Sequence, residues 1–314
     1  MPEIENPTPE FNEACIAVST QLRAGNLPFN EAVARLSVLV QRASVEGNTL
    51  NQARAEQTLG TIQLTKGNLD VSIQHMQRAR LLASKHYNPN RIATIDLAEG
   101  ESWRFKGHFD KAIQLYRSSF EYAGQMNNTV LQTYATVNIG LALLSLERLE
   151  EAKQAFEDGL ALSKKWENPD AALGPLCEIH HGFAHIHLHH HQYDQAWEEA
   201  VQAYQIALRS DDPRHSGLAR RTLGDVVTHL THVPDPNYSH NPDDYYRASI
   251  DDFRGRDAEA EIMLTTFAQA VSLAKRGNHN SAARKLQQAI IAFNRLGMEN
   301  DLKRATNFRK TILS

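Results

Sequence analysis

Apolar residues along this chain recur at helical spacing in segments of about four turns, each ended by a short polar break, and the segments come in pairs. Three stretches align: LGTIQLTKGNLDVSIQHMQRA from Leu59, EGESWRFKGHFDKAIQLYRSS from Glu99 and IGLALLSLERLEEAKQAFEDG from Ile139. Gly60, Gly100 and Gly140 recur at intervals of forty residues, and so do Leu69, Phe109 and Leu149, then Ser72, Ala112 and Ala152. A fourth copy starts at Phe183, forty-four residues beyond the third, and keeps the spacing through Ala184, Tyr193 and Ala196. A fifth opens at Leu223 and then loses the pattern, while a sixth from Gln269 carries Ala270, His279 and Ala282. A helical pair containing Ala32 and Leu36 precedes them all.

Two periodic segments joined at KGN, KGH, LER, HHQ or RGN predict an antiparallel helical hairpin. The small residues mark where its two helices cross, because Gly or Ala lets backbones approach. Met76, Tyr116 and Phe156, four positions after the small residue of each second helix, are expected to fill the space toward the next hairpin. No hairpin buries its apolar face alone, so stacking on neighbours supplies the core. The expected fold is all-α: a right-handed superhelix of antiparallel hairpins forming a single α-solenoid over residues 1–314. The stretch VPDPNYSHNPDD at 233–244 replaces the tight turn of the fifth hairpin, and either projects toward a partner or bridges an eroded repeat. Residues 299–313 predict a C-terminal capping helix with Leu302, Ala305, Phe308 and Ile312 on one side and a solvated basic face of Lys303, Arg304, Arg309 and Lys310.

This pattern resembles the tetratricopeptide repeat (TPR) family, whose motif has a small residue in the first helix, a Gly before the turn, then alternating small and aromatic residues along the second. Gly60, Gly67, Leu69, Ser72, Met76 and Ala79 match it, as do Gly100, Gly107, Phe109, Ala112 and Tyr116. The period is longer than the family's commonest one, and in this the units resemble bacterial regulatory arrays of the maltose-activator and peptide-receptor types.

The resemblance implies that first helices line a concave groove. Projected onto this sequence, the lining is Arg54, Gln57, Thr61 and Thr65, then Thr94, Glu101, Arg104 and Phe105. Tyr134, Val137, Leu141 and Ser145 follow, then Glu178, His181, His185, Leu188 and His189, and finally Arg221, Asp225, Thr228 and His229. Such a mixture of cations, carboxylates, hydroxyls and rings suits an extended peptide or a partner helix. Of the Lys and Asn pattern with which some members grip a terminal carboxylate, only Asn138 is present.

Histidine changes the picture locally. HHGFAHIHLHHH at 180–191 holds seven of the chain's fifteen histidines. His181, His185 and His189 stand four apart and so share one helix face, with Cys177 at its start. An adjacent pair such as His181 and His185 has the spacing to share a Zn²⁺ or Ni²⁺ ion, but the whole stripe is about 18 Å long, too long for one ion. Gly182 stands where a metalloprotease motif has its Glu. The expectation is a polar wall with no special chemistry, no bound metal and no cofactor; a separate hypothesis is that the imidazoles gather charge below their pKa near 6.5 and loosen the fourth hairpin by mutual repulsion.

The remaining composition mostly excludes. A formal charge of −4 over 314 residues opposes a nucleic-acid partner, and IGLALLSL is too short to cross a bilayer. Two cysteines, Cys15 and Cys177, give no disulfide framework, which fits a cytoplasmic protein. Phosphate-loop, dinucleotide and nucleophile-elbow motifs are absent, so the chain is not expected to be an enzyme. Two binding readings remain: a scaffold for a protein or peptide partner, and a regulatory sensor whose groove takes a signalling peptide or a metal ion and controls a separate effector. A third places an enzyme or metalloprotein at the histidines.

Overall fold

The computed structural model describes residues 6–86, 88–210 and 212–313, and among these the regular elements are helices. They form two compact units, Met1–Asn138 and Ile139–Ser314.

The first unit holds α1 (Pro9–Arg23), α2 (Phe29–Val45), α3 (Thr49–Lys66), α4 (Leu69–Ala83), α5 (Pro89–Lys106), α6 (Phe109–Gln125) and the start of α7 (Thr129–Ser145). Sequence sets the helix ends. The Asn48 and Asn88 side chains accept the backbone N–H of Asn51 and Arg91, capping α3 and α5. Gly67 and Gly107 end the same helices at φ 88° and 86°, a left-handed conformation that glycine adopts without strain. Helices α3 with α4, and α5 with α6, then pair as hairpins.

The helix crossings extend one expectation, since Met76 does share a core with Ile92 and Ile95 of the next hairpin. Met76 and Tyr116 do not simply fill space toward the next hairpin: each lies on the glycine of its own first helix, so that a Cβ on Gly60 would come within 2.8 Å of Met76 and one on Gly100 within 2.6 Å of Tyr116. The Ser72 hydroxyl donates to the Gly60 carbonyl at 2.8 Å, fixing the same crossing.

The second unit takes the rest of α7, α8 (Leu149–Ser163), a 3₁₀ turn (Pro169–Ala172), α9 (Leu173–His189), α10 (Tyr193–Arg209), α11 (Pro213–Val227), α12 (Pro242–Arg254), α13 (Glu259–Lys275), α14 (His279–Leu296) and α15 (Glu299–Leu313). Glu147 and His191 occupy the turn position held by glycine in the first unit, at φ 58° and 57°. Phe156 is wholly buried against both Gly140 and Gly182, so here the bulky residue touches its own hairpin and the next.

The fifth hairpin is complete. Gly224 packs on Tyr246 and Gly217 on Phe253, with the Ser249 hydroxyl donating to the Gly217 carbonyl at 2.7 Å. Its long connection lies on the unit: Val233 is buried, and the Tyr238 ring stands 5.2 Å from Trp197 and 6.1 Å from Tyr204. Helix α15 buries Ala305 and sets Phe308 and Ile312 against Leu273, Ala274 and Ala282. Among the described residues no helix is long and apolar enough to cross a membrane.

Candidate ligand-binding site

In the second unit, α9, α11 and α13 present a row of polar side chains. Spacing by four puts His181 and His185 one turn apart on α9, where their rings meet edge to face with centroids 4.5 Å apart. His181 Nδ1 lies 2.7 Å from the Thr222 hydroxyl of α11, and His185 Nε2 lies 3.5 Å from Asp225 Oδ2. Tyr246 donates its hydroxyl to the other Asp225 oxygen at 2.8 Å. Arg221 pairs with Glu261 of α13 at 2.7 Å, and Lys275 Nζ reaches His229 Nδ1 at 2.7 Å. At the start of the row Arg214 meets the buried Glu178 carboxylate at 3.1 Å.

Burial and like charge set the protonation of this row. His185 is held down to about 3, first by loss of water and then by the positive fields of Arg221 and Arg304. Asp225 is pushed up to about 6 by burial, against the opposing hydrogen bond from Tyr246 and the two arginines. His229 is lowered by burial, Lys275 and His191. Arg304 of the capping helix contributes to this field while pairing with Asp301 at 2.9 Å.

The first unit carries a shorter row. Gln57 of α3 donates to the Thr94 hydroxyl at 2.9 Å and accepts from Arg91 Nη1 at 2.8 Å, both on α5. Arg54 donates Nε to Asn12 Oδ1 at 2.7 Å and Nη1 to the Thr58 hydroxyl at 3.2 Å. Further along α5, Arg104 lies 3.7 Å from Glu101 and stacks over the Phe105 ring at 4.8 Å. Thr61 is exposed, and its hydroxyl turns back to the Gln57 carbonyl. The Tyr134 carbonyl accepts from Asn138 Nδ2 at 2.9 Å, leaving the buried Asn138 Oδ1 without a partner.

Not every projected residue stands in a polar row. Leu188 packs into the core with Ala184, Trp197 and Leu223, Phe105 is buried, and His189 is exposed. Cys177 is not part of the histidine face: it is wholly buried with Ala203, Ala207 and Ala219, and burial pushes its thiol well up. Of the other histidines, His180 bonds Glu199 at 2.6 Å, His187 bonds Gln192 at 2.7 Å, and His190 and His191 lie in the turn. Among the described residues no three His, Cys, Asp or Glu side chains converge to hold a metal ion.

Arg91, Thr222, Tyr246, Glu261, Lys275 and Arg304 belong to these rows without being projected from sequence. Tyr246 had a signal of sorts. It follows its glycine, Gly224, by twenty-two residues where Met76 follows Gly60 by sixteen, and the inserted loop hides the match.

Hairpins paired through a glycine crossing, with first helices carrying the polar rows, give each unit the fold of TPR-type helical repeats. A family model described as Tetratricopeptide repeat matches residues 135–165, the α7–α8 hairpin. Among curated proteins, Protein KINESIN LIGHT CHAIN-RELATED 2 of Arabidopsis thaliana is 22% identical over 248 residues, covering 77% of this chain and 36% of that protein. Protein KINESIN LIGHT CHAIN-RELATED 3 of the same plant is 25% identical over 211 residues, 65% of this chain and 32% of the relative. The chain thus spans about a third of the length of these relatives. Aspartyl phosphate phosphatase F from Bacillus subtilis superposes with a TM-score of 0.68 at 13% identity, over 90% of this chain and 70% of that one. A Rap conjugation gene regulator in complex with the Phr peptide gives 0.61 at 12% identity, over 98% and 97%. At such identities the structural likeness is one of fold.

Proposed function

We propose that this chain is a binding scaffold that takes a peptide, or an exposed segment of a partner protein, on its polar rows. The observation that carries the reading is the second-unit row, where His185, Asp225, Arg221 and His229 stand with Glu261 and Lys275 as partly or fully accessible donors and acceptors of both signs. An extended ligand brings its own backbone donors and acceptors and needs both kinds opposite them. On this reading the chain has no catalytic role and no cofactor, and binds neither nucleic acid nor membrane; the net charge of −4 supports that. Two buried free thiols support a cytoplasmic setting. A second reading, a regulatory sensor acting on a separate effector, is favoured by the fold shared with a Rap regulator solved with a peptide.

Selection of a displayed random-peptide library on the full chain tests the scaffold reading. A recurring sequence should emerge, and His185→Ala with His229→Ala should weaken the enriched peptide about tenfold, ~1.4 kcal/mol, without unfolding the chain. A library that yields no recurring sequence, or a peptide indifferent to both substitutions, refutes it.

A further inference from the structure

The two arginines of the first-unit row have no counter-charge. Arg54 and Arg91 form no ion pair with any described residue, although each is largely withdrawn from water, and they stand close enough to repel one another. Desolvation lowers both, Arg91 to about 10. A guanidinium carries five N–H donors in a rigid fork. Arg54 spends two of them, on Asn12 and Thr58; Arg91 spends one, on Gln57, and its Nε is shut off from water with no acceptor.

An arrangement of this kind is costly unless something supplies the missing charge. Elsewhere in the chain, withdrawn arginines have found it: Arg221 lies on Glu261 and Arg256 on Asp212. What surrounds Arg54 and Arg91 instead is a set of neutral side chains that hold them in place. Asn12 on α1 fixes the Nε of Arg54, while Gln57 accepts from Arg91 and is itself oriented by donating to the Thr94 hydroxyl, so the Arg91 fork is held by an acceptor that is in turn fixed. Three helices therefore hold two fixed positive forks with unspent donors.

We propose that Arg54 and Arg91, supported by Asn12, Gln57 and Thr94, form a binding site for a compact oxyanion, a carboxylate or a phosphate group. Either group accepts paired N–H bonds from a guanidinium fork and cancels the repulsion between the two. The site is absent from the projected Lys and Asn pattern because its two arginines stand thirty-seven residues apart, off the repeat of forty.

The full chain is titrated with inorganic phosphate at constant ionic strength, with calorimetry and thermal unfolding as readouts. A parallel arm compares tetra-alanine bearing a free C-terminus with its amide, which separates a peptide carboxylate from free phosphate as the source. Saturable binding of at least one anion is expected, with Arg91→Met losing about tenfold in affinity and the solvent-facing Arg78→Met changing it less than about twofold. In anion-free buffer Arg91→Met should melt higher than the wild type, because it removes an uncompensated charge, and only the wild type should gain stability on adding anion. If Arg91→Met fails to fold, Arg54→Met takes its place with the same expectation. A wild type that binds neither anion, or variants that bind as the wild type does, overturns the site. None of these titrations uses a library-derived peptide, so this outcome and that of the peptide selection are read separately.

Discussion

A Cβ placed on Gly140 would lie 2.6 Å from Cε1 of Phe156, and one placed on Gly182 would meet the same ring at 2.3 Å. Phe156 therefore occupies space that both neighbouring helices have vacated. In an ordinary helix Gly→Ala raises stability by up to about 1 kcal/mol. At Gly140 the sign should reverse, because the ring is wholly buried and has nowhere to retreat: Gly140→Ala is expected to cost about 1–3 kcal/mol. Gly124→Ala is the control, since its Cβ would meet only the end of the Gln132 side chain at 3.2 Å. Urea unfolding should show the first variant destabilised, the second unchanged or stabilised, and partial recovery when Phe156→Leu is added to Gly140→Ala.

The His185 and Asp225 pair sets an acid response with opposed parts. His185 has a folded pKa of about 3, below its unfolded value near 6.5, so its contribution is complete above pH 6.5 and is lost as pH falls toward 3. Asp225, raised to about 6 from an unfolded value near 3.9, acts the other way: its burden is greatest above pH 6 and is relieved as pH falls toward 4. Between these limits the two partly cancel. Asp225→Asn should make stability fall more steeply from pH 6.5 to 4, and His185→Gln should flatten the same curve. Chemical unfolding at several pH values over that window checks both slopes; identical slopes in all three proteins would contradict the assignment. His215 and His229, both lowered chiefly by loss of water, add to the acid-labile side, so any loosening of this unit on acidification is expected to come from imidazoles held neutral by partial burial more than from repulsion among the histidines.

In the first unit the Asp96 carboxylate is wholly buried, accepting from Arg80 Nε at 2.6 Å and from the Ser118 hydroxyl at 2.6 Å. Arg80→Met strands that carboxylate with a single donor. Removing one member of a buried pair typically costs 3–5 kcal/mol, and because Arg80 is partly exposed about 2 kcal/mol is expected here. Adding Asp96→Leu should return most of it, since an apolar pair of similar volume is often as stable as the ions. A double variant weaker than Arg80→Met alone would show that Asp96 stabilises through Ser118 rather than through the ion pair.

The fold was legible because its signals are local and repeated. Glycine at the helix crossing, the bulky residue sixteen positions on and the left-handed turn position all recur at fixed spacing through the first three hairpins, and Phe308 and Ile312 mark the inner side of the capping helix. The rows were legible only in part. Helical spacing places His181 and His185 on one face, yet Tyr246 reaches Asp225 across a long insertion, and Arg304 arrives from a helix seventy-nine residues beyond Asp225. Those relations depend on tertiary packing, which no periodicity encodes. Cys177 shows the converse: it has the spacing of the stripe, but the alanines of α10 and α11 leave room that draws it into the core.

The connection between α11 and α12 offers the last test. Prolines and turn formers give it no regular structure, and its attachment includes Val233, which is buried, the Tyr238 ring set edge-on to Trp197 and Tyr204, and the Ser239 carbonyl accepting from the Tyr245 hydroxyl at 3.1 Å. Such ring pairs contribute about 0.5–1.5 kcal/mol beyond the area they bury. Tyr238→Ala should therefore release the segment while leaving the hairpin standing, because Gly224 on Tyr246 and Gly217 on Phe253 hold the two helices without it. A broad-specificity protease should then cut between Thr228 and Asn241 well before the helices, and Trp197, 7% exposed in the intact protein, should shift its emission to the red. Helical circular dichroism should be unchanged. If the cleavage pattern and the emission both stay as in the wild type, Val233 and the Tyr245 hydroxyl on the Ser239 carbonyl anchor the segment and the Tyr238 ring is dispensable.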